Sequence, residues 1–402
     1  MFRENELVHD HYVDLGTSTI PGVYANHKRL RDNPPYADLP WDPIDESLAG
    51  KLEVQPLRRW AGGQGLKWMS PLEQLAPGFI PKPAPQVEGE CQEEVRVSVA
   101  TRLGAARVEQ LKDTLLFESS EVAWYPGAPC GLFGVEKPGK NVLRVIFDAR
   151  PANQAIAPRG EQLVLFTLAM LVQAMAMYQY VHTVDYRHYY YQFLLPLRLA
   201  WYFFIVVDGI TWLPRVLPMG FREAVTIAQC ATFAVVLYVR PGESRLGIDI
   251  GALRALRSMP AHLSLYDERH QEVGRILLLL DGVAVTCRDK ALRDAWVARL
   301  RRNEDHFHVV RKETKSVCLA AAAPATAVPE PGLADEEPPV DFAGVVFDRD
   351  GWRPRAEIPE PTAVAESTPA RALAARLGRV LWALRVRSAA HLGVKARCST
   401  PR

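Results

Sequence analysis

The sequence RILLLLDGVAVTC at residues 275–287 decides how this chain is interpreted, because one carboxylate, Asp281, interrupts a long apolar run. Asp281 and Gly282 between two apolar runs are typical of a β-hairpin turn, since glycine accepts the positive φ that a type I′ turn requires. A carboxylate in apolar surroundings is otherwise unusual unless it is paired, hydrogen-bonded or bound to a metal. The stretch therefore has two interpretations, a purely structural hairpin or a position that holds a metal ligand.

A second carboxylate of this kind is Asp185 in VHTVDYRHYYYQF at residues 181–193, where it ends a β-prone run. Asp185 alone is also explained as a cap at a strand end. If Asp185 and Asp281 meet on adjacent strands, they form an oxygen-rich site suited to Mg²⁺, which prefers one or two carboxylates together with substrate phosphates. Such a site supports two-metal phosphoryl transfer, in which one ion activates a hydroxyl and the other holds the triphosphate.

Composition restricts the class of protein. The 402 residues leave room for two or three domains, and 48% hydrophobic with 23% charged residues is ordinary globular content. With a net charge of only +2, any affinity for nucleic acid must come from local patches. One basic patch is C-terminal, where Arg and Lys occur without Asp or Glu after Glu366. A solvated basic helix face is the alternative explanation of that patch.

Cysteine usage and the N-terminal sequence indicate the compartment. The six cysteines are scattered, without Cys-x-x-Cys or zinc spacing, which is typical of free thiols in a reducing environment. The sequence MFRENELVHDHYVD at the N-terminus contains no apolar stretch of the kind found in a secretory signal. We therefore expect an intracellular protein of the cytoplasm or nucleus.

One segment has the length of a membrane span. Residues 162–181, QLVLFTLAMLVQAMAMYQYV, carry no charge over twenty positions. Gln173 and Gln179 inside it favour a buried helix that runs into a core strand. The alternative, a membrane-associated protein built around this segment, predicts that the protein depends on detergent.

A resemblance to a known family begins with RVIFDARPAN at residues 144–153. Four residues of this stretch fit the pattern R-x-x-x-D-x-R-x-x-N: Arg144, Asp148, Arg150 and Asn153. The pattern resembles the fingers of retroelement reverse transcriptases, and this resemblance implies that Arg144 grips the incoming triphosphate. Lys137 or Lys140 lies where a second basic contact to the triphosphate is expected. An exposed arginine pair on a strand is the structural alternative.

Two further motifs follow in the order of that family. VDYRHYYYQ resembles motif A, which makes Asp185 a metal ligand and places Tyr190 at the aromatic gate that excludes a ribose 2′-hydroxyl. LPMGFREAVTIAQ at residues 217–229 resembles motif B, in which the Pro-Met-Gly turn at residues 218–220 lies near the template base and the nucleotide. Gln229 falls at the usual glutamine of that motif.

The remaining motifs are less regular. LLDG at residues 279–282 lies where the family has Tyr-x-Asp-Asp, so Gly282 replaces the second aspartate. Lys312 or Lys315 falls near the basic residue of motif D, and DFAGVVFD at residues 341–348 resembles the primer-grip hairpin. The basic helix RALAARLGRVLWALRVR resembles a truncated thumb. The residues of motif B and the segment GRVLW resemble those of tyrosine-recombinase retrotransposons of the DIRS type. No part of the sequence resembles an RNase H, integrase or recombinase domain.

The resemblance covers about residues 135–387 and implies an α+β class, right-hand polymerase fold with an antiparallel palm sheet backed by helices. Before it we expect an irregular N-terminal extension, rich in Pro, Gly and isolated Trp. The expected divisions are an extension at 1–95, fingers at 96–180, a palm at 181–318 with a polar insert at 241–274, a Pro/Ala/acidic linker at 319–340, and a primer-grip hairpin with a short basic thumb at 341–402.

The implied function is RNA-directed DNA synthesis by a retroelement enzyme, with Asp185 and Asp281 as catalytic residues and ligands of Mg²⁺ or Mn²⁺. The implied partners are an RNA template, a DNA primer and dNTPs, without a membrane or a predictable protein partner. The residues implied in nucleotide binding are Lys137, Arg144, Asp148, Arg150, Tyr190, Gln229 and Lys315. The residues implied in template or primer contact are Pro218, Met219, Gly220, Phe342 and Gly344.

Gly282 keeps a second function open. The loss of one negative charge beside two divalent ions weakens their binding, because the charge of the ligands is a main determinant of affinity. The alternative is a catalytically impaired or repurposed reverse-transcriptase-like protein that binds nucleic acid without polymerising.

Overall fold

The computed structural model describes nine stretches of the chain. They are residues 39–44, 46–85, 105–119, 127–136, 141–160, 163–318, 340–342, 345–348 and 351–354. The Pro/Ala/acidic linker, apart from its last residue, and the C-terminal segment predicted as a basic thumb helix lie outside the described residues.

Helices are short except for two. The α-helices of the described residues are α1 Val54–Gln64, α2 Ala105–Glu109, α3 Arg150–Ala155, α4 Leu168–Met177, α5 Leu197–Ala200, α6 Ala224–Leu237, α7 Ile250–Ala255 and α8 Lys290–His306. Short 3₁₀ helices occupy Glu46–Leu48, Lys67–Leu75, Tyr189–Gln192 and Trp201–Phe203. The two longest of the described α-helices, α6 and α8, pack against the largest sheet and against each other.

Strands pair in antiparallel fashion throughout the described residues. They are β1 Leu116–Glu118, β2 Gly131–Glu136, β3 Leu143–Asp148, β4 Tyr180–Tyr186, β5 Ile205–Val207, β6 Ile210–Pro214, β7 His262–Tyr266, β8 Glu272–Leu279, β9 Gly282–Cys287, β10 Arg311–Cys318, β11 Val340–Phe342, β12 Val345–Asp348 and β13 Gly351–Pro354. The sheets have the orders β10-β4-β9-β8-β7, β1-β6-β5, β11-β12-β13 and β2-β3. This mixture of helices and antiparallel sheets confirms the predicted α+β class.

The five-stranded sheet β10-β4-β9-β8-β7, called the central sheet below, lies at the core. All six residues of β9 are buried, which explains why its sequence, GVAVTC, is apolar without alternation. Helix α6 is buried on almost every side, as expected for a helix that is hydrophobic all round. Cys130, Cys230 and Cys287 are buried in this core and form no disulfide.

Part of the expected irregular extension is instead core structure. In α1, Val54, Leu57 and Ala61 are buried along one face. The ring of Trp68 meets Phe233 of α6 edge-on, with 5.2 Å between ring centroids. Glycines and prolines in and around these helices conceal the periodicity, so the expectation of an irregular segment is wrong for residues 46–75.

The apolar segment at residues 162–181 is divided between two elements. Helix α4 begins after Thr167, whose side chain accepts a hydrogen bond from the amide of Met170 (3.2 Å), and it ends at Met177. Strand β4 starts three residues later at Tyr180. The prediction of a helix followed by a core strand is confirmed, but the helix is not fully buried, because Gln173 and Met177 are exposed. In the described part of the chain, no helix is long and apolar enough to cross a membrane.

The polar insert at residues 241–274 contributes to the central sheet. Its strand β7 pairs with β8 and forms one edge of that sheet. The Trp296 indole nitrogen on α8 donates a hydrogen bond to the Leu246 carbonyl (3.1 Å), and the Trp68 indole nitrogen donates to that of Leu253 (3.1 Å). The insert is thus attached to both α8 and the N-terminal helices.

Candidate active site

Strands β8 and β9 form a hairpin, called the Asp281 hairpin below. Its last pair is Leu279 with Gly282, so Leu280 and Asp281 form the two-residue turn. Leu280 adopts the left-handed conformation, with φ of 50°, whereas Gly282 is the first residue of β9. The expectation that Gly282 supplies the positive φ of the turn is therefore wrong.

Two side chains of α6 hold this turn. The Leu280 amide donates to Gln229 Oε1 (2.7 Å), and the Leu280 carbonyl accepts from Thr232 Oγ1 (2.5 Å). Gln229 Nε2 also donates to the Leu278 carbonyl (3.1 Å). A left-handed leucine is strained, so hydrogen bonds from a distant helix compensate for a conformation that the local sequence disfavours.

Gln229 therefore has a different place from the one that the resemblance implies. Its side chain is 0% exposed, and both its carboxamide oxygen and its nitrogen are occupied by the Asp281 hairpin. No polar atom of Gln229 is exposed to a nucleotide. We assign Gln229 to positioning the hairpin, in place of the predicted nucleotide contact.

Replacing Gln229 by Leu is expected to lower the free energy of unfolding by about 3 kcal/mol, because it leaves the half-buried Leu280 amide and the buried Leu278 carbonyl without this partner. The measurement is urea unfolding, with a lower midpoint and an unchanged slope as the expected result. Gln154→Leu, at an exposed position of α3, is the matched control. If both variants unfold at the same urea concentration, α6 does not hold the hairpin.

Asp185 lies beside this hairpin. It pairs directly with Gly282 on β9, and the amide of Tyr186 donates to the Asp281 carbonyl (2.7 Å). Burial first, and then the negative charge of Asp185, raise the pKa of Asp281 to about 6. The two aspartates named from the sequence are thus brought together at the ends of adjacent strands.

Two basic side chains, Lys312 and Arg144, act on the carboxylates at the Asp281 hairpin. The Lys312 ammonium lies 2.5 Å from Asp185 Oδ2. Lys312 and Arg144 both lower the pKa of Asp281, opposing the effects of burial and Asp185. Arg144 is an exposed residue of β3, and its effect on Asp281 is the smallest of the five. Of the two lysines proposed for motif D, the one that contacts Asp185 is Lys312, whereas Lys315 pairs with Thr183 further along β4.

The three consecutive tyrosines point to three different parts of the fold. The hydroxyl of Tyr189 lies 3.0 Å from Thr232 Oγ1 on α6, and that of Tyr191 donates to the Val145 carbonyl on β3 (2.7 Å). Tyr190 between them is half-buried, and burial together with the charge of Asp281 raises its pKa to about 12. The charge of Asp281 also raises the pKa of Tyr189, so partial exposure is what distinguishes Tyr190, and its role as a gate stays a prediction.

The Pro-Met-Gly turn packs against β3. The amide of Phe147 donates to the Met219 carbonyl (3.0 Å). Gly220 has φ of 126°, and a Cβ at this residue would lie 2.2 Å from the Phe147 carbonyl oxygen. Only glycine allows so close an approach, so this turn is fixed beside the strand that carries Arg144.

Asn153 connects the first motif to this turn, a role that the sequence did not indicate. Its Nδ2 donates to the Gly220 carbonyl (3.0 Å), and its Oδ1 accepts from the amide of Arg222 (2.9 Å). The Arg222 guanidinium donates to the carbonyls of Asn153 (3.1 Å) and Ile156 (2.9 Å). The asparagine of one motif thereby holds the glycine turn of another.

Other residues implied in binding are placed differently. Asp148 and Arg150 form a bidentate ion pair, with Arg150 Nε 2.7 Å and Nη2 2.5 Å from the two carboxylate oxygens. Phe342 pairs with Val345, so residues 341–348 include the predicted hairpin. Lys137, Lys140 and Gly344 lie outside the described residues.

A buried carboxylate, Glu304 of α8, lies on the far side of β4. It is 0% exposed, accepts a hydrogen bond from the Tyr186 hydroxyl (3.0 Å) and pairs with the Arg311 guanidinium (3.2 Å). Burial raises its pKa to about 7. The sequence analysis missed Glu304, because α8 is rich in charged residues and nothing in its pattern marks this one as buried.

The raised pKa of Glu304 predicts how stability depends on pH. The folded chain binds the proton more tightly than the unfolded chain, whose ordinary value is 4.5. Glu304 therefore favours folding below pH 4.5 and loses this contribution as the pH rises to about 7. Glu304→Gln should gain about 2 kcal/mol of stability relative to the native chain between pH 5 and pH 8, measured by urea unfolding. Parallel pH profiles would contradict this, and the exposed Glu268→Gln is the control.

The donor set at the tip of the Asp281 hairpin fits a divalent cation. Burial and the charge of Asp185 raise the pKa of Asp281, whereas Lys312 and Arg144 lower it. Mg²⁺ prefers one or two carboxylates with substrate phosphates. In the part of the chain that the structure describes, no group of three or more His, Cys, Asp or Glu could hold a metal, so the assignment of Asp185 and Asp281 as metal ligands stays a prediction.

Comparisons with known proteins give structural neighbours only. No protein-family model and no curated protein matches the chain. Similar solved structures include a foamy viral protease-reverse transcriptase (dRH) with double-stranded DNA, at 14% identity and a TM-score of 0.45, covering 76% of this chain and 43% of that one. A second is a foamy viral protease-reverse transcriptase with double-stranded DNA, at 15% identity and a TM-score of 0.46, covering 85% of this chain and 64% of that one. A third is a foamy viral protease-reverse transcriptase with an RNA/DNA hybrid, at 12% identity and a TM-score of 0.44, covering 93% of this chain and 40% of that one. The chain spans less than two thirds of each of these proteins.

Proposed function

We propose that this chain is an RNA-directed DNA polymerase of the reverse transcriptase type, from a retrotransposon. The observation that carries the proposal is the meeting of Asp185 and Asp281 at adjacent strand ends, with Arg144 and Tyr190 in the same electrostatic environment. Arg144, Asp281 and the motif that contains both Asp185 and Tyr190 are far apart in the sequence. A hairpin with a purely structural role does not require Asp185, Arg144 and Tyr190 near its turn.

The fold is proposed to be a right-hand polymerase. The central sheet, with α6 and α8 packed on it, corresponds to the palm, and the β2-β3 hairpin with α3 corresponds to part of the fingers. The β11-β12 hairpin corresponds to the primer grip. In this arrangement the Pro-Met-Gly turn lies between fingers and palm, where Asn153 and Phe147 hold it.

Each residue then has a proposed role in nucleotide transfer. The primer 3′-hydroxyl attacks the α-phosphate of a dNTP, and pyrophosphate leaves. Asp185 and Asp281 would hold a divalent cation, Mg²⁺ or Mn²⁺, which would supply the positive charge that activates the hydroxyl and neutralises the triphosphate. The exposed Arg144 guanidinium binds the triphosphate, since a planar guanidinium recognises phosphate oxygens in bidentate fashion. Tyr190 limits the space at the 2′ position of the sugar.

The proposed partners are an RNA template and a DNA primer. Their hybrid approaches the A form, whose minor groove is wide and shallow and presents 2′-hydroxyls, so contacts to the backbone and minor groove are expected to dominate. Primer extension on an RNA template in Mg²⁺ or Mn²⁺ tests the function. Incorporation of dNTPs that requires the Asp185 carboxylate supports the proposal, and incorporation that persists without it rejects the mechanism.

A second candidate function is binding of nucleic acid without polymerisation. It is favoured by Gly282, which contributes no carboxylate opposite Asp185, and by the ion pair between Asp185 and Lys312. This candidate predicts that the chain retards a primer-template hybrid in a gel shift while primer extension stays at background in both Mg²⁺ and Mn²⁺.

A further inference from the structure

We propose that a cavity separate from the candidate active site binds a phosphate group. The cavity has a volume of about 230 Å³ and lies where the end of α1, the end of α6 and the start of α7 meet. Two exposed arginines, Arg240 and Arg245, line it together with Trp60 and Gln64 of α1. The inference stands apart from the proposed function, because it concerns neither of the two aspartates.

The cavity lies at the end of α6 that is remote from the Asp281 hairpin. Gln229 of α6 contacts that hairpin, whereas Leu237, the last residue of α6, lines the cavity. Eight residues of an α-helix span about 12 Å, which exceeds the Debye length of about 8 Å at physiological ionic strength. The cavity is therefore a site of its own.

A turn that α8 holds in place carries both arginines. It spans residues 240–249 and is called the arginine turn below. Three α8 side chains contact it: Trp296 donates to the Leu246 carbonyl (3.1 Å), Arg299 donates to the Ser244 carbonyl, and Arg302 pairs with Glu243 (3.4 Å). Because a packed helix fixes this backbone at three positions, little ordering is needed when a ligand binds the turn.

The charges at the arginine turn favour an anion. Four guanidinium groups and two carboxylates lie in the turn or contact it, namely those of Arg240, Arg245, Arg299, Arg302, Glu243 and Asp249. Glu243 pairs with Arg302, and Asp249 caps the start of α7. Within the described part of the chain, neither carboxylate forms an ion pair with Arg240 or Arg245. Both exposed guanidinium groups can therefore bind an incoming anion.

A buried arginine below the turn adds to this preference. Arg299 is 2% exposed, and its Nε and Nη1 have no hydrogen-bond partner among the described residues. Burial lowers the pKa of Arg299, whereas Glu243 raises it and Arg302 lowers it. The Ser244 carbonyl that Arg299 contacts adjoins Arg245 in the sequence. An anion at the arginine turn would stabilise this buried cation by Coulomb attraction.

The chemistry of the lining suits a phosphate group. A guanidinium is planar and binds phosphate oxygens in bidentate fashion. The cavity is smaller than the roughly 300–1,000 Å³ of pockets that enclose drug-sized ligands, so it accommodates the phosphate and only part of an attached ester. The half-buried Trp60 ring in the lining offers an aromatic surface to a nucleobase. A free nucleotide and a nucleic-acid strand share this phosphate chemistry.

Equilibrium dialysis of the full chain against radiolabelled inorganic phosphate at low ionic strength tests the inference. We expect saturable binding that falls at least tenfold in the double variant Arg240→Gln with Arg245→Gln, because hydrogen bonds to a charged group are lost at two side chains. Arg240→Lys with Arg245→Lys keeps the charge but loses the planar fork. Its affinity should lie between those of the native chain and the glutamine variant.

The matched control is Arg257→Gln with Arg269→Gln. Both arginines are exposed in the same polar insert but do not line the cavity, so the same loss of charge should leave phosphate binding unchanged. Gln64→Glu is a second test, because it adds a carboxylate to the lining and should weaken binding although both cavity arginines remain. Far-UV circular dichroism establishes that each variant is folded.

A deoxynucleoside monophosphate and a short single-stranded oligonucleotide identify the source of the phosphate. Tighter binding of the monophosphate than of the oligonucleotide indicates a free nucleotide, and the reverse order indicates a strand. In both cases the binding should weaken when Arg240 and Arg245 are replaced by glutamine.

Three results would overturn the inference: no binding of inorganic phosphate, equal affinities for the two glutamine double variants, or acetate that competes as well as phosphate does. These outcomes are separate from those of primer extension. A chain that binds phosphate through Arg240 and Arg245 but incorporates no dNTP loses the proposed function alone. A chain that polymerises without this phosphate site loses only the inference.

Discussion

Replacing Asp185 by Asn should reduce primer extension on an RNA template by about 10³-fold or more. The substitution removes one of the two carboxylates at the tip of the Asp281 hairpin and breaks the ion pair with Lys312. A single lost electrostatic contact at a reacting centre costs about 10²- to 10³-fold in rate, and a lost cation ligand belongs at the upper end of that range. The measurement is the rate of single-nucleotide incorporation at saturating Mg²⁺ and again at saturating Mn²⁺.

Asp208→Asn is the matched control for this experiment. Asp208 is exposed between β5 and β6 with φ of 49°, a conformation that asparagine tolerates. It carries the same charge change away from the two aspartates, so incorporation should stay at the native rate. If Asp185→Asn and Asp208→Asn incorporate equally, Asp185 has no part in the chemistry.

The second large effect is expected at Gly282. Replacing Gly282 by Asp should raise the rate of incorporation by about 10²-fold at saturating Mg²⁺, because the new carboxylate adds a cation ligand where the native chain has none. Gly282 pairs directly with Asp185, and directly opposed residues project from the same face of a sheet. The side chain at residue 282 therefore emerges beside the Asp185 carboxylate.

Gly282→Asn separates charge from shape in this experiment. It has nearly the same volume as the aspartate variant but adds no negative charge, so its rate should not exceed that of the native chain. Residue 282 is buried, and a new carboxylate beside Asp185 should lower thermal stability until Mg²⁺ is added. An aspartate variant that is folded yet no faster than the native chain would show that two carboxylates suffice, and the deficit attributed to Gly282 would not exist.

The two positions also separate the candidate functions. A polymerase weakened by one missing charge loses its remaining activity with Asp185→Asn and gains activity with Gly282→Asp. A protein that only binds nucleic acid shows no incorporation in the native chain, and its affinity for a primer-template hybrid changes little with either substitution. The gel shift and the extension assay together therefore distinguish the proposals.

The conformation of the turn and the choice between two lysines depend on contacts between residues far apart in the sequence, which a local pattern does not reveal. The Asp-Gly dipeptide has the ordinary signature of a hairpin turn, yet Gln229 and Thr232 of α6 hold Leu280 in the left-handed conformation. Local preference favours glycine there, and the hydrogen bonds of a buried helix override it. Residue spacing alone also gave no reason to choose Lys312 over Lys315, because only the bulge in β10 brings one of them to Asp185.

The sequence by itself determined the α+β class, the strand that carries Asp185, the hairpin that carries Asp281 and the division of residues 162–181 into helix and strand. These follow from apolar periodicity and from the positions of charges within apolar runs, which are local properties of a chain. Tertiary structure alone decided that Asp185 faces Gly282, that Lys312 neutralises one carboxylate and that Asn153 holds the Pro-Met-Gly turn. Such contacts join residues far apart in sequence, and their geometry depends on strand register and helix packing, which no local pattern fixes.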